Sequence, residues 1–195
     1  MIKKVILITG TPCTGKTTIA KQLVTRLKAQ YVNLTELAIS EDLTLGKDKK
    51  RNTIIIDEKR MKRKISQIIK TSTSNNIIID GHYAAHVVPD KLATNVFVLR
   101  RNPTELRKLM QRKHYTDTKL WENLAAEILD ISLIDALNAY SSEKTCELDI
   151  TGKTLKQNLT TILNVLNSKE KCYTGIVDWI GKLETEGILQ DYLKI

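Results

Sequence analysis

Eight residues near the start of the chain, Gly10-Thr11-Pro12-Cys13-Thr14-Gly15-Lys16-Thr17, fit the spacing G-x-x-x-x-G-K-[ST]. A loop of this kind turns sharply at its glycines and points backbone N–H groups at phosphate oxygens. Its lysine neutralises charge on the β and γ oxygens of a triphosphate, and the hydroxyl beside it binds Mg²⁺. Gly10, Cys13, Gly15, Lys16, Thr17 and Thr18 are therefore expected to hold ATP, with Lys16 also catalytic. Such a site needs an acidic residue at the end of a neighbouring strand. Asp80 closes the apolar run Ile77-Ile78-Ile79 and is expected to share the metal with Thr17, directly or through water. The plainer reading of a carboxylate in that place is a turn residue.

Further candidates lie around this pair. His82, two residues beyond Asp80, is expected either to position the attacking water or acceptor, or to be an ordinary turn histidine. Arg112 opens the stretch Arg112-Lys113-His114-Tyr115 between two expected helices. From there its guanidinium would close on the transferring phosphoryl group and stabilise developing charge. Arg100 and Arg101 have weaker claims of the same kind, with a surface ion pair as the alternative for each. His86 and His114 read as surface residues.

The elements that must position these groups are legible as alternating strands and helices. Val5-Ile6-Leu7-Ile8, Ile77-Ile78-Ile79 and Val96-Phe97-Val98-Leu99 are short continuous apolar runs, as expected of strands buried on both faces. Tyr31–Leu34 and Glu147–Ile150 are further strands, and 52–56 is a strand or a loop. A helix is expected over 15–28, another over 58–70 capped by Asp57, and one from Asn102-Pro103-Thr104-Glu105 to about Arg112. A long helix should then carry Leu120, Leu124, Ile128 and Ile131 on one face. Thr154 with Gln157 caps a helix presenting Leu155, Leu159, Ile162 and Leu166, and a last helical segment holds Ile176, Trp179, Ile180 and Leu183. The alternation predicts an α/β fold with a mostly parallel sheet.

The chain has 195 residues and a net charge of +9, and the charge is unevenly spread. Between Lys47 and Lys64 stand nine Lys or Arg against Asp48, Asp57 and Glu58. Such a field favours polyanions, and its plainer reading is a solvated helix face. No stretch reaches the roughly 18 apolar residues of a membrane span. The start, Met1-Ile2-Lys3-Lys4, has no h-region of a secretion signal. Cys13, Cys146 and Cys172 are few, scattered and odd in number, which suits a reducing, cytoplasmic setting better than a disulfide framework.

The order of these motifs resembles the adenylate kinase isoenzyme six (CINAP-type) family over about residues 3–165. The matching residues are the loop Gly10–Thr18, Asp80 with His82, Leu99-Arg100, and Arg112 with Tyr115, Lys119 and Asn123. The resemblance departs at Cys13, where the family has glycine, and in a lid one residue longer at Lys113-His114-Tyr115. Asp80-Gly81-His82-Tyr83 also lacks the arginine that ordinary adenylate kinases carry after this strand. The resemblance implies a three-layer P-loop NTPase fold with a five-stranded sheet. It further implies a monophosphate-binding lobe over about 34–72, a short lid over about 111–121, and a core of 1–168 followed by a helical extension of 169–195. It implies the reaction of ATP with AMP to give two ADP, an intrinsic ATPase, and a role in small ribosomal subunit maturation beside a platform protein and rRNA. A nucleotide-switched assembly factor with negligible kinase activity and a small-metabolite kinase are the alternatives. By analogy with the fold, Gly152-Lys153 would line the adenine.

Overall fold

Apolar residues that alternate toward two faces need a layer of helices on each side, and the chain supplies both. The computed structural model describes residues 3–48 and 53–193. Strand β1 (Lys4–Gly10) lies at the centre of a five-stranded sheet, between β5 (Asn76–Asp80) and β6 (Asn95–Arg100). β2 (Gln30–Asn33) flanks β5, and β7 (Thr145–Asp149) flanks β6. All four pairings are parallel, so every strand ends on the same edge of the sheet.

Val5, Leu7, Ile77, Ile79, Val96 and Val98 face one way. Against them pack α3 (Glu58–Thr71) through Met61, Ile65 and Ile69, the short α4 (Ala84–Val87), and α7 (Ile131–Ala139) through Leu133 and Ala136. Ile6, Ile8, Ile78, Phe97 and Leu99 face the other way, onto Ile19 and Leu23 of α1 (Lys16–Leu27) and Leu159 and Ile162 of α8 (Leu155–Leu166). A third cluster joins α5 (Pro103–Arg112) and α6 (Asp117–Ile128) to α9 (Trp179–Thr185) and α10 (Leu189–Tyr192). The residues beyond 168 thus contribute Trp179, Leu183 and Tyr192 to a core of their own with α5 and α6.

Several expectations are met in detail. Asp57 accepts from the backbone N–H of Arg60, Asn102 from that of Thr104, and Thr154 and Gln157 form a reciprocal cap. Others need correction. The expected long helix breaks at Asp130, whose φ of 57° is left-handed, and Ile131 ends 43% exposed instead of on the apolar stripe. The cause is Arg100, which draws in the backbone carbonyl of Glu127 and the carboxylate of Asp130. Leu155 and Ile176 are also exposed, and Ile176 precedes its helix. The segment α2 (Leu34–Ser40), capped by Asn33 through Glu36, and the strand β3 (Thr44–Asp48) are additions to the sequence reading. β3 pairs antiparallel with β4 (Thr53–Ile56), so the 52–56 segment is a strand, with Asn52 outside the described residues. Lys49, Lys50 and Arg51 of the basic run also lie outside them. The cysteines are not all free. Cys146 of β7 is joined to Cys172, with 5.1 Å between their Cα atoms, and Cys13 is the free thiol.

Candidate active site

The phosphate loop leaves the central strand where glycine is required. Gly10 has φ 131°, and a Cβ there would lie 2.4 Å from the carbonyl oxygen of Leu99 on β6. Gly15, at φ 95°, sits at the N-cap of α1 without any side-chain cap, so the first N–H groups of the helix are available to an anion. Lys16 begins that helix and is only 9% exposed. Its Nζ donates to the carbonyls of Gly10 at 2.8 Å and Thr11 at 2.9 Å. Burial pulls its pKa down to about 8, while Asp80 and Glu127 oppose the fall. Thr18, on the same first turn of the helix, is exposed.

Thr17 and Asp80 meet as expected. The Thr17 hydroxyl donates to Asp80 Oδ2 at 2.6 Å, and Asp80 is 1% exposed. Two further donors reach the same oxygen and were missed from the sequence: Tyr31 Oη at 3.0 Å and Asn33 Nδ2 at 3.1 Å. The parallel register sets Asn33 directly opposite Asp80, a relation that only the strand order reveals. Burial first, then the neighbouring carboxylate, pushes the Tyr31 phenol up to about 12, so it remains a donor. The set of one carboxylate and one adjacent hydroxyl suits a hard cation that takes its other oxygens from phosphates and water. Among the described residues there is no cluster of three or more His, Cys, Asp or Glu fit to hold a metal unaided.

Lys16, Thr17 and His82 open onto a cavity of about 520 Å³. Thr35 of α2 and Thr53 of β4 form one wall, and Tyr115, Lys119 and Asn123 form the other. The Lys119 ammonium sits 5.4 Å from the centre of the Tyr115 ring. His82 lines this cavity at its exposed rim, where the surrounding protein strips part of its hydration. That desolvation, followed by the charges of Lys16 and Lys119, lowers its pKa to about 4. His82 is therefore a neutral imidazole at pH 7, able to accept a proton or a hydrogen bond.

Arg112 is not brought into this cavity. It is exposed at the end of α5, beside a separate hollow of about 220 Å³ shared with Arg101, Glu105 and Lys108. Lys119 is the cation that lines this cavity together with Lys16. Cys13 has φ 70° and packs, half-buried, with the α5–α6 cluster next to Tyr115. Arg101 pairs with Glu105 at 2.9 Å. Arg100, expected near phosphate or in a surface pair, is 1% exposed and bound to Glu127, Asp130 and Glu147. Burial works against its charge, but Glu127 and Asp130 outweigh it and keep the guanidinium firmly protonated. His86 lies 3.4 Å from Asp135 at the surface. Lys153 lines a separate hollow of about 570 Å³ with Lys156 and Gln157 at the start of α8.

A family model described as an AAA domain matches residues 6–130. A protein of Pyrococcus furiosus named "Putative adenylate kinase" is 35% identical over 90% of this chain and 91% of its own length. A protein of the same name from Saccharolobus solfataricus is 33% identical over 98% and 95%. The chain belongs to their family. Solved structures place that family's fold among P-loop kinases. Shikimate kinase from Acinetobacter baumannii superposes with a TM-score of 0.59 at 12% identity, covering 87% of this chain and 96% of its own. Thymidylate kinase from Candida albicans gives 0.55 at 16%, covering 86% and 92%. At such identities the likeness concerns the fold. No helix among the described residues is long and apolar enough to cross a membrane.

Proposed function

We propose that the protein transfers the γ-phosphoryl group of ATP to a nucleoside monophosphate, AMP in the first instance, giving two ADP. The carrying observation is the convergence of Lys16, the Thr17–Asp80 pair at 2.6 Å and the lid residues Tyr115 and Lys119 on one cavity. The name shared by the archaeal relatives supports the choice of acceptor. Thr17 and Asp80 would hold Mg²⁺, which would supply positive charge against the triphosphate. The loop N–H groups and Lys16 fix the triphosphate. Lys119 approaches the transferring group from the lid, where a cation counts most at the transition state. Neutral His82, at the rim, orients the attacking oxygen, whether of AMP or of water, and so also serves a slow ATPase. A coupled assay with AMP, CMP, dAMP and no acceptor tests this reading. ATP consumption accelerated by AMP, with two ADP formed per ATP lost, is the expected result. A rate indifferent to every monophosphate sinks it.

A specific observation favours a second role alongside the first, as in the CINAP-type family: an assembly factor of the small ribosomal subunit, acting in the cytoplasm on rRNA and a platform protein. A groove of about 1020 Å³ runs between α3 and the 85–92 segment, with Lys62, Arg63, Lys70 and Lys91 on its rim. None of the four has an ion-pair partner among the described residues, and the one nearby acid, Asp90, is engaged by Lys144. Four cations in one groove, unpaired among the described residues, suit a phosphate backbone, whose binding weakens steeply with salt. Replacing the four by Gln should flatten the salt dependence of RNA binding and leave ATP hydrolysis intact. An unaltered salt slope would return the groove to plain solvated surface.

A further inference from the structure

The phosphate loop and the residues beyond 168 share one carboxylate. Glu127, on α6, has no exposed side-chain surface. Its Oε2 accepts the hydroxyl of Thr11, the second residue of the loop. Its Oε1 accepts Arg100 Nε at 2.9 Å, the backbone N–H of Arg101 at 3.0 Å and the indole Nε1–H of Trp179 at 3.0 Å. The same Arg100 holds Glu147 of β7 through Nη1 at 2.5 Å. The other oxygen of Glu147 accepts the backbone N–H of Ile176 at 2.8 Å, and its own backbone N–H donates to the carbonyl of Tyr173 at 2.9 Å. Residues 173–179 are thus fastened at three points to a buried ionic cluster whose far end is the phosphate loop.

A fully buried carboxylate is tolerated only while its partners stay in place. A network of this kind passes a displacement along, because each member has one good arrangement. Thr11 is also where Lys16 rests, since its carbonyl accepts Lys16 Nζ at 2.9 Å and the Thr14 hydroxyl at 2.9 Å. A phosphate that takes Lys16 from that carbonyl changes the load on Thr11, and the hydroxyl of Thr11 leads straight to Glu127.

We propose that Glu127 is a positioning residue of the nucleotide site and that Trp179 completes it, making the 173–179 segment a working part of the phosphate loop. The proposal rests on the loop being a nucleotide site, and the test separates the two. The chain has two tryptophans. A Trp121→Phe background keeps an aromatic ring under Arg107 and leaves Trp179 as the emitter. Its emission is followed while a non-hydrolysable ATP analogue with Mg²⁺ is added, and binding is measured in parallel by calorimetry. A saturable emission change with the calorimetric midpoint is expected. It should disappear in Thr11→Val, which keeps the shape of the side chain and removes the donor, while calorimetry still records binding. Emission that ignores bound nucleotide, or that responds equally in Thr11→Val, overturns the proposal. Absence of calorimetric binding in the parent overturns it together with the nucleotide-site reading.

Kinetics give an independent arm. Trp179→Phe preserves ring packing and loses the N–H, so turnover should fall about tenfold with the KM for ATP within about twofold, as outer partners of a site behave. A lower melting temperature with unchanged kcat would show that Trp179 only packs, and would overturn the proposal.

Discussion

Lys16, Gly10 and Asp80 divide the labour of the site by distinct physical means, and each has its own expected response to substitution. The hydrogen bonds of Lys16 go to two loop carbonyls, so Lys16→Ala should leave the melting curve nearly unchanged while lowering turnover by about 10²-fold or more. Turnover above a tenth of the parent in the coupled assay would count against the assignment. Gly10→Ala should fail differently. Its Cβ meets a backbone carbonyl at 2.4 Å in a strained backbone region, so urea unfolding should show a loss of roughly 2–4 kcal/mol along with lost nucleotide binding. Lys16, Thr17 and Asp80 were legible in the sequence because spacing and strand context fix them. Tyr31 and Asn33 were not, since their place beside Asp80 depends on which strands are neighbours. Arg112 and Lys119 take places that the sequence does not foretell, for a related reason. Motif order points to Arg112, but the turn after α5 carries it outward and brings Lys119 in.

At the scale of elements, strands and caps followed from local pattern, whereas the division of α6 from α7 did not. Apolar spacing runs through Asp130 without interruption, and what breaks the helix is a guanidinium 30 residues earlier in the chain. Arg100→Met should therefore leave three carboxylates without their cation. Removing one partner of such a buried group costs roughly 3–5 kcal/mol, which equilibrium unfolding would register. A loss below about 1 kcal/mol would mean that the carboxylates find protons or solvent locally. The break itself serves packing. It sends Ile128 to the cluster of α5, α9 and α10 and Leu133 to a face of the sheet, so one run of sequence supports two cores.

On the scale of the molecule, the alternation of strands and helices was enough to infer a three-layer sheet protein, but the β3–β4 hairpin and the path of residues 169–193 were not foreseeable. That path covers the outer edge of β7 through the Glu147–Tyr173 hydrogen bond and the Cys146–Cys172 link. A chain ending at 168 should expose this edge together with Leu120, Leu124 and Met110, and should scatter light at concentrations where the full chain stays clear. A clear, monodisperse truncated protein would contradict it. The convergence on Glu127 also has a consequence in time. Glu127 follows Thr11 by 116 residues, and Trp179 follows Glu127 by a further 52. At the roughly 5–20 residues per second of synthesis, the loop emerges some ten seconds or more before its last support is made. A growing chain carries the whole phosphate-binding motif early, yet the partners proposed to position it join only once residue 179 has been made. The order of the chain would thereby hold back the coupling of the loop to residues 173–179 long after the motif itself exists.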